Sequence, residues 1–226
     1  MTDAASPTSL IGTGIYSVGE AALYVGVPRA QLARYFADPE RSGLLRPTHG
    51  RIGKDRALSF LDLIEATVTA RLRREGVSMQ AIRRARENLI AYTNSAHPFA
   101  HERLAVWGRS IVHAEQVPPS DQRYIDLERL QVCFPAVIEP YLKTIDYDAD
   151  SHLAARLRLS PGVVLDPRIC FGAPIVQRVA MPTHTLVSAW RANEYKIDNV
   201  VRMFPRTSPD DVQAAIEFED RLPRAA

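Results

Sequence analysis

Tyr16–Phe36 reads YSVGEAALYVGVPRAQLARYF, and this stretch decides the N-terminal third of the fold. Ser17, followed three residues later by Glu20, makes a capping box, and Val18, Ala21, Ala22 and Val25 then recur along one helical face. Gly26 ends that helix. Pro28 opens a second one, at a position where its missing N–H costs nothing. In the second helix Leu32 and Phe36 share one face, while Arg29, Gln31, Arg34 and Tyr35 lie on the flanks or the far side. A major groove accepts such a helix: Arg and Gln pair with base edges, and arginines at the rim neutralise phosphates. The same residues also suit a plain solvent-facing amphipathic helix, and this segment alone leaves both readings open.

The next stretch, GLLRPTHGRIGKDRALS, predicts an extended start, a turn at His49–Gly50 and a second extended piece, so that Arg51, Lys54 and Arg56 line a narrow basic hairpin. Ser59 with Asp62 then caps a long helix carrying Leu61, Ile64, Ala66 to Val68 and Leu72, closed by Gly76. Ser78 caps another, which turns Ile82, Ala85 and Leu89 inward and Arg83, Arg84 and Arg86 outward, and stops near Tyr92. Formal net charge is +2, but residues 16–90 hold thirteen basic against eight acidic side chains, leaving the remainder acidic. Only this head carries the footprint a polyanion seeks. The candidate contacts to double-stranded DNA are Ser17, Arg29, Gln31, Arg34 and Tyr35, with Arg51, Lys54 and Arg56 on the hairpin. One such head touches few bases, so a homodimer on a palindromic operator is expected.

The order of these pieces, YSVGEAALYVGVPRAQLARYF, GLLRP and RALSFLDLIEATVTARLRREGVSMQAIRRA, resembles the winged helix-turn-helix domain of the MerR class of regulators over about a third of the chain. MerR regulators continue into a long dimerising helix, whereas here the helix stops before Asn94 and Pro98. A regulator answering to a small molecule is the alternative this resemblance implies. It would need a pocket between 99 and 160, for which Leu104, Val106, Trp107, Ile111 and Tyr124 are candidates, although they suit a strand core equally.

Outside the head, residues 1–15 read as a loose arm, and 99–160 as a small strand-rich region containing RLAVWGRSIVHA, PYLKTIDYD and HLAARLRL, with IDLERLQVCFP as a brief helix. From 161 to 226 the pattern is short strands, an Asp166–Pro167 turn and a Gly172-x-Pro174 turn, then three helices. The first opens near Thr183, the second carries Ile197, Val200, Val201 and Phe204, and Ser208-Pro209-Asp210-Asp211 caps the third, with Val212, Ala215, Ile216 and Leu222. The expected fold class is mainly α with small β elements (α+β): a winged helix-turn-helix over 16–92, a short β middle and a C-terminal three-helix unit.

Asp166, Pro167, Ile169, Gly172, Pro174 and Pro182, followed by FPRTSPDDVQAAIEFE, make the stretch from Val163 to about Glu219 resemble the 433 family of domains of unknown function. Phe171 stands where a second glycine is common there, and Ala180 where an arginine is common. A MerR-like head joined to this tail resembles a subset of VapB-type antitoxins. That resemblance implies a PIN-like ribonuclease toxin as partner and repression of the antitoxin's own operon. Such nucleases hold magnesium with clustered carboxylates, so Arg206, Arg221 and Arg224 are the candidate toxin contacts.

No GxSxG, HExxH or glycine-rich phosphate loop occurs, so neither catalysis nor a cofactor is expected. His97 and His101 are four apart but straddle Pro98 and lack a third ligand, and Asp146, Asp148 and Asp150 read as a solvated turn rather than a calcium loop. Cys133 and Cys170 form no CxxC, and no stretch has the length of a signal peptide core or membrane span, so a cytoplasmic location is expected.

Overall fold

A computed structural model describes residues 13–37, 43–52, 55–104 and 137–222. The arm at 1–12 and most of the strand-rich region, including Val106, Trp107, Ile111, Tyr124 and the 125–135 segment, lie outside the described residues. The Ser17–Glu20 capping box starts α1 (Val18–Val25), and left-handed Gly26 ends it. α2 (Arg29–Tyr35) follows from Pro28. The Ser59–Asp62 box starts α3 (Phe60–Arg74), and Ser78 starts α4 (Met79–Thr93), which stops at left-handed Asn94. β1 (Tyr16–Ser17) and β2 (Arg51–Ile52) flank β3 (Asp55–Leu58) in an antiparallel sheet. The turn expected at His49–Gly50 is present, over Thr48–His49 with Gly50 left-handed at φ 68°, but residues 43–47 before it form no strand, and the paired hairpin lies beyond it, with Arg51 opposite Arg56 and Ile52 opposite Asp55. His49 is buried in that turn, its ring 3.0 Å from the Gly14 carbonyl and 3.2 Å from the Thr13 hydroxyl.

In the C-terminal half, α5 (Glu139–Leu142) leads into β4 (Ile145–Tyr147), β5 (Ala154–Ser160), β6 (Val163–Leu165), β7 (Pro174–Val176) and β8 (Met181–Pro182), an antiparallel meander in chain order. The PYL of PYLKTIDYD is thus helical rather than extended, with Pro140 in a first turn that needs no N–H. This sheet also runs through position 160, where composition suggested a division. Three helices complete the chain: α6 (Thr183–Ala192), α7 (Ile197–Met203) and α8 (Pro209–Arg221), the last opened by a Ser208–Asp211 capping box. Leu186, Val187, Val200, Val212, Ala215 and Ile216 join Val176 of β7 in their core. The head has a core of its own that does not stop at Tyr92, because Phe99, Ala100, Leu104, Ile138, Tyr141, Leu142, Ile145, Ala154, Leu157 and Leu165 belong to it.

α3 departs most from a surface helix. An apolar stripe was expected, yet every residue from Asp62 to Ala70 is buried. Two of these are carboxylates, Asp62 and Glu65, each 1% exposed. Asp62 accepts the Ser59 N–H at 2.8 Å, the Thr48 N–H at 2.9 Å and the Thr48 hydroxyl at 3.0 Å. Glu65 takes Arg86 at 3.2 Å, so Arg86 turns inward rather than out to solvent. The His97 Nδ1 lies 3.5 Å from Glu65 and 3.8 Å from Asp62. Burial opposes charge on this imidazole, but the contact with Glu65 and the fields of both carboxylates outweigh burial and Arg86, raising its pKa above the ordinary 6.5.

The head is also sewn to the tail. The Tyr16 hydroxyl donates to the Gly172 carbonyl at 2.8 Å, and the Ile15 N–H donates to the Phe171 carbonyl at 3.0 Å. Burial pushes the Tyr16 pKa far up, so the hydroxyl remains a donor. Gly172 sits at φ 84°, and a Cβ there would meet the Tyr16 oxygen at 2.3 Å. Tyr16 is 2% exposed and has no room to retreat.

Two outcomes follow from this packing. Gly172→Ala should cost about 2–4 kcal/mol in chemical denaturation, since strain and overlap add. Tyr16→Phe should cost about 1 kcal/mol for the lost hydrogen bond. The double variant should be more stable than the sum of the two predicts, because one oxygen is responsible for both effects. Strict additivity would mean that the two residues do not meet. For His97, a folded-state pKa above the unfolded one gives stability that is fully present below 6.5 and is lost as pH rises through the folded value. The melting-temperature gap between wild type and His97→Gln should therefore be widest in acid and narrow as pH is raised. A gap that widened with pH would show a neutral His97.

Candidate nucleic-acid interface

Leu32 and Phe36 bury one side of α2 beneath α1, which leaves Arg29, Ala30 and Arg34 exposed on the other and Gln31 half-buried. Four members of the expected contact set, Tyr35, Gln31, Ser17 and Arg56, make bonds within the fold. Tyr35 is 4% exposed, because α2 lies deep enough to submerge that flank, and its hydroxyl takes the Gln31 amide at 2.7 Å. The Ser17 hydroxyl accepts the Glu20 N–H at 3.1 Å, and the Glu20 carboxylate takes the Ser17 N–H at 2.9 Å, so that hydroxyl caps α1. Arg56 donates to the Phe36 carbonyl, where the negative end of the α2 dipole also favours a cation. Hairpin and helix are thereby held in one frame. Arg51 stands opposite Arg56 on β2, while its side chain and the whole of Lys54 lie outside the described residues.

Sequence reading missed the far wall of this face. A recess of about 660 Å³ is lined by Gln31, Arg34 and Tyr35 of α2, Arg73 of α3, and Met79, Gln80 and Arg83 of α4. A smaller one of about 310 Å³, lined by residues 43–46, Arg83, Arg86 and Glu87, adjoins it through the shared Arg83. Arg73 is exposed and anchored by a 2.6 Å bond to the Val77 carbonyl, and Arg74 bonds the Gly26 carbonyl, pinning the α3–α4 turn to the α1–α2 turn. Helical periodicity marks Arg83 only as outward-facing. That it stands across a hollow from Arg34 depends on how the helices cross.

The candidate toxin contacts are scattered. Arg206 is exposed, and its carbonyl accepts from Arg178, which also pairs with Asp211 at the α8 N-terminus. Arg221 bonds back to the Glu217 carbonyl at 2.8 Å, and Arg224 lies outside the described residues. His97 belongs to the carboxylate cluster on α3, whereas His101 stacks on His152 at 5.9 Å, so Pro98 sends the two rings to different neighbours. Among the described residues no three His, Cys, Asp or Glu gather as metal ligands. Asp148 accepts the Ser151 N–H at 2.8 Å within its own turn, while Asp146 sits on β4 and pairs with Arg158 at 3.2 Å, placing it in the sheet rather than in a solvated turn. No described helix is long and apolar enough to cross a membrane.

Three comparisons bear on this arrangement. Residues 163–218, covering β6 to α8, match the family described as "Protein of unknown function (DUF433)". The crystal structure of Rv2018 from Mycobacterium tuberculosis superposes with a TM-score of 0.71 over 89% of this chain and 96% of that one, at 25% identity. The putative antitoxin VapB45 of the same organism is 32% identical over 187 residues, spanning 71% of this chain and 76% of that protein. An identity of this level over that share of both proteins means that the chain belongs to the VapB45 family of putative antitoxins.

Proposed function

We propose that this protein is the antitoxin of a type II toxin–antitoxin pair, a non-enzymatic protein that binds operator DNA through its head and neutralises a PIN-like ribonuclease by direct contact through its tail. The DNA half of the reading rests on one observation: Arg34 on α2 faces Arg73 and Arg83 across a concave surface. On this reading α1 and α2 are a helix-turn-helix and β2–β3 its wing. Arg29, Gln31 and Arg34 approach base edges in the major groove, and Arg73, Arg83, Arg51, Lys54 and Arg56 meet phosphates on either side. The seven residues of α2 extend only about 10 Å, so a two-fold dimer supplies the second half-site.

A MerR-like regulator responding to a small molecule is the second reading, favoured by a cleft lined by Thr13, Thr48, Phe60, Leu61, Leu153 and Arg168, where head, sheet and tail converge. Its 250 Å³ falls below the roughly 300 Å³ at which ligand pockets usually begin. Leu104, expected to line a pocket, is instead 1% exposed in the core.

Arg34→Ala should flatten the preference for operator over scrambled duplex, at a cost of about 1–3 kcal/mol on the operator. Arg83→Ala and Lys54→Ala should weaken both duplexes alike and lower the salt slope by about one each. Unchanged operator affinity and salt slope in all three would remove the head from the interface. For the tail, the full chain should copurify with the nuclease encoded beside its gene and restore growth. A variant carrying Arg34→Ala and Arg83→Ala should rescue equally well, since occlusion needs contact with the toxin and not with DNA. No copurification would leave a stand-alone regulator.

A further inference from the structure

Two of the most exposed aromatic side chains, Phe171 at 67% and Tyr195 at 64%, share an unusual backbone. Each is the second of two consecutive non-glycine residues in the left-handed region: Cys170 and Phe171 at φ 49° and 54°, Glu194 and Tyr195 both at 58°. Such a conformation crowds any side chain, and glycine is the ordinary choice where a helix ends this way. At Phe171 the seam accounts for it, because its carbonyl holds Ile15. At Tyr195 the turn closes α6 through the Tyr195 N–H to the Trp190 carbonyl at 3.0 Å, a task needing no aromatic ring. The ring nevertheless stands edge-on to Trp190 at 4.8 Å and 88°, held outward in solvent.

The charges around this corner are mainly basic: four cations, Arg191, Lys196, Arg202 and Arg206, against two exposed carboxylates, Glu194 and Asp198. Arg191, Arg202 and Arg206 are exposed and take part in no ion pair among the described residues. Arg202 is anchored by neutral groups, the Asn199 side chain at 2.6 Å and the Asp198 carbonyl at 3.3 Å, so its charge remains available. Lys196 is already neutralised by Glu194 at 2.6 Å. α8, packed against both α6 and α7, has the opposite sign, with Asp210, Glu217 and Asp220 exposed.

We infer that the α6–α7 corner, with Tyr195 as anchor and Arg191, Arg202 and Arg206 as rim, is where the tail receives an acidic protein surface, that of the toxin; this rests on the antitoxin reading above. Tyrosine, tryptophan and arginine are the residues that dominate interface energies, and an anchor already held in place loses little freedom on binding. A second copy of this chain is a poor occupant. Two-fold pairing through this corner would set its arginines near their own images, and head-to-tail pairing with α8 would build a ring or filament rather than the two-fold dimer a palindromic operator asks for. A nucleic acid strand is disfavoured too, since a phosphate backbone leaving the corner runs toward the carboxylates of α8.

The test uses purified full-length protein and the neighbouring nuclease. Tyr195→Gly removes the ring while suiting the left-handed backbone, so its melting temperature should stay near wild type. Its nuclease affinity should fall about tenfold or more. Arg191→Glu with Arg202→Glu should lower affinity by a similar factor and reverse its salt dependence, with operator binding untouched in both variants. If wild type binds the nuclease and both variants bind it equally well, the corner is not the interface and the antitoxin reading survives. If wild type does not bind, that reading falls and this inference with it. Binding of oligo(U) RNA by wild type, lost in the Arg191→Glu, Arg202→Glu variant, would overturn the inference in favour of a nucleic acid ligand.

Discussion

Asp62 and Glu65 are buried one turn apart on a helix enclosed on nearly every side, and the surrounding chain is arranged to supply their polar partners. An unpaired carboxylate in such a place costs several kcal/mol or forces its own protonation. Asp62 is satisfied by the Ser59 cap and by Thr48, which ties the 43–50 loop to α3. Glu65 recruits Arg86 from α4, His97 from the segment after it and the Phe99 N–H beyond. Loop, helix pair and connector are thereby fixed in one orientation. The same pairing sorts the arginines of α4, withdrawing Arg86 while Arg83 stays at the recess.

A second constraint acts at a distance of 156 positions in the chain. Tyr16 reaches Gly172 through a gap that admits no Cβ, so the start of the head and the loop between β6 and β7 must move as one. Edge-to-face contact of Tyr16 with Tyr24 at 6.1 Å extends that rigidity into α1. The seam therefore couples the two halves of the chain, since α1 supports α2 and the β6–β7 loop lies within the residues 163–218 that match DUF433. Arg71 adds to the same frame: its guanidinium lies 4.5 Å above the Tyr141 ring, joining α3 to the C-terminal half.

Much of the fold was legible in the sequence because its signals are local. Capping boxes at Ser17, Ser59 and Ser208, the stop at Gly26 and the end of α4 at Asn94 each involve residues a few positions apart, and all form as expected. The errors arise where tertiary packing competes with local pattern. Tyr35 looked like a groove-facing aromatic, but the depth to which α2 sinks decides whether that flank is wet. The turn at His49–Gly50 forms, but the strand pairing expected on both sides of it lies wholly after it, between Arg51–Ile52 and Asp55–Arg56, while the His49 ring is held by Thr13 and Gly14.

By itself the sequence determined the order of elements, the basic bias of the head and the helical ending, since periodicity, caps and charge are properties of short segments. It also carried the resemblance that the comparisons bear out at the level of a putative antitoxin family. Only the tertiary structure decided which arginines share a surface. Arg34, Arg73 and Arg83 meet across a recess through helix crossings that no local pattern encodes. Likewise only the fold decided that Tyr195 points outward and that α3 is interior, because burial is set by what packs against a residue and not by the residues beside it in the chain.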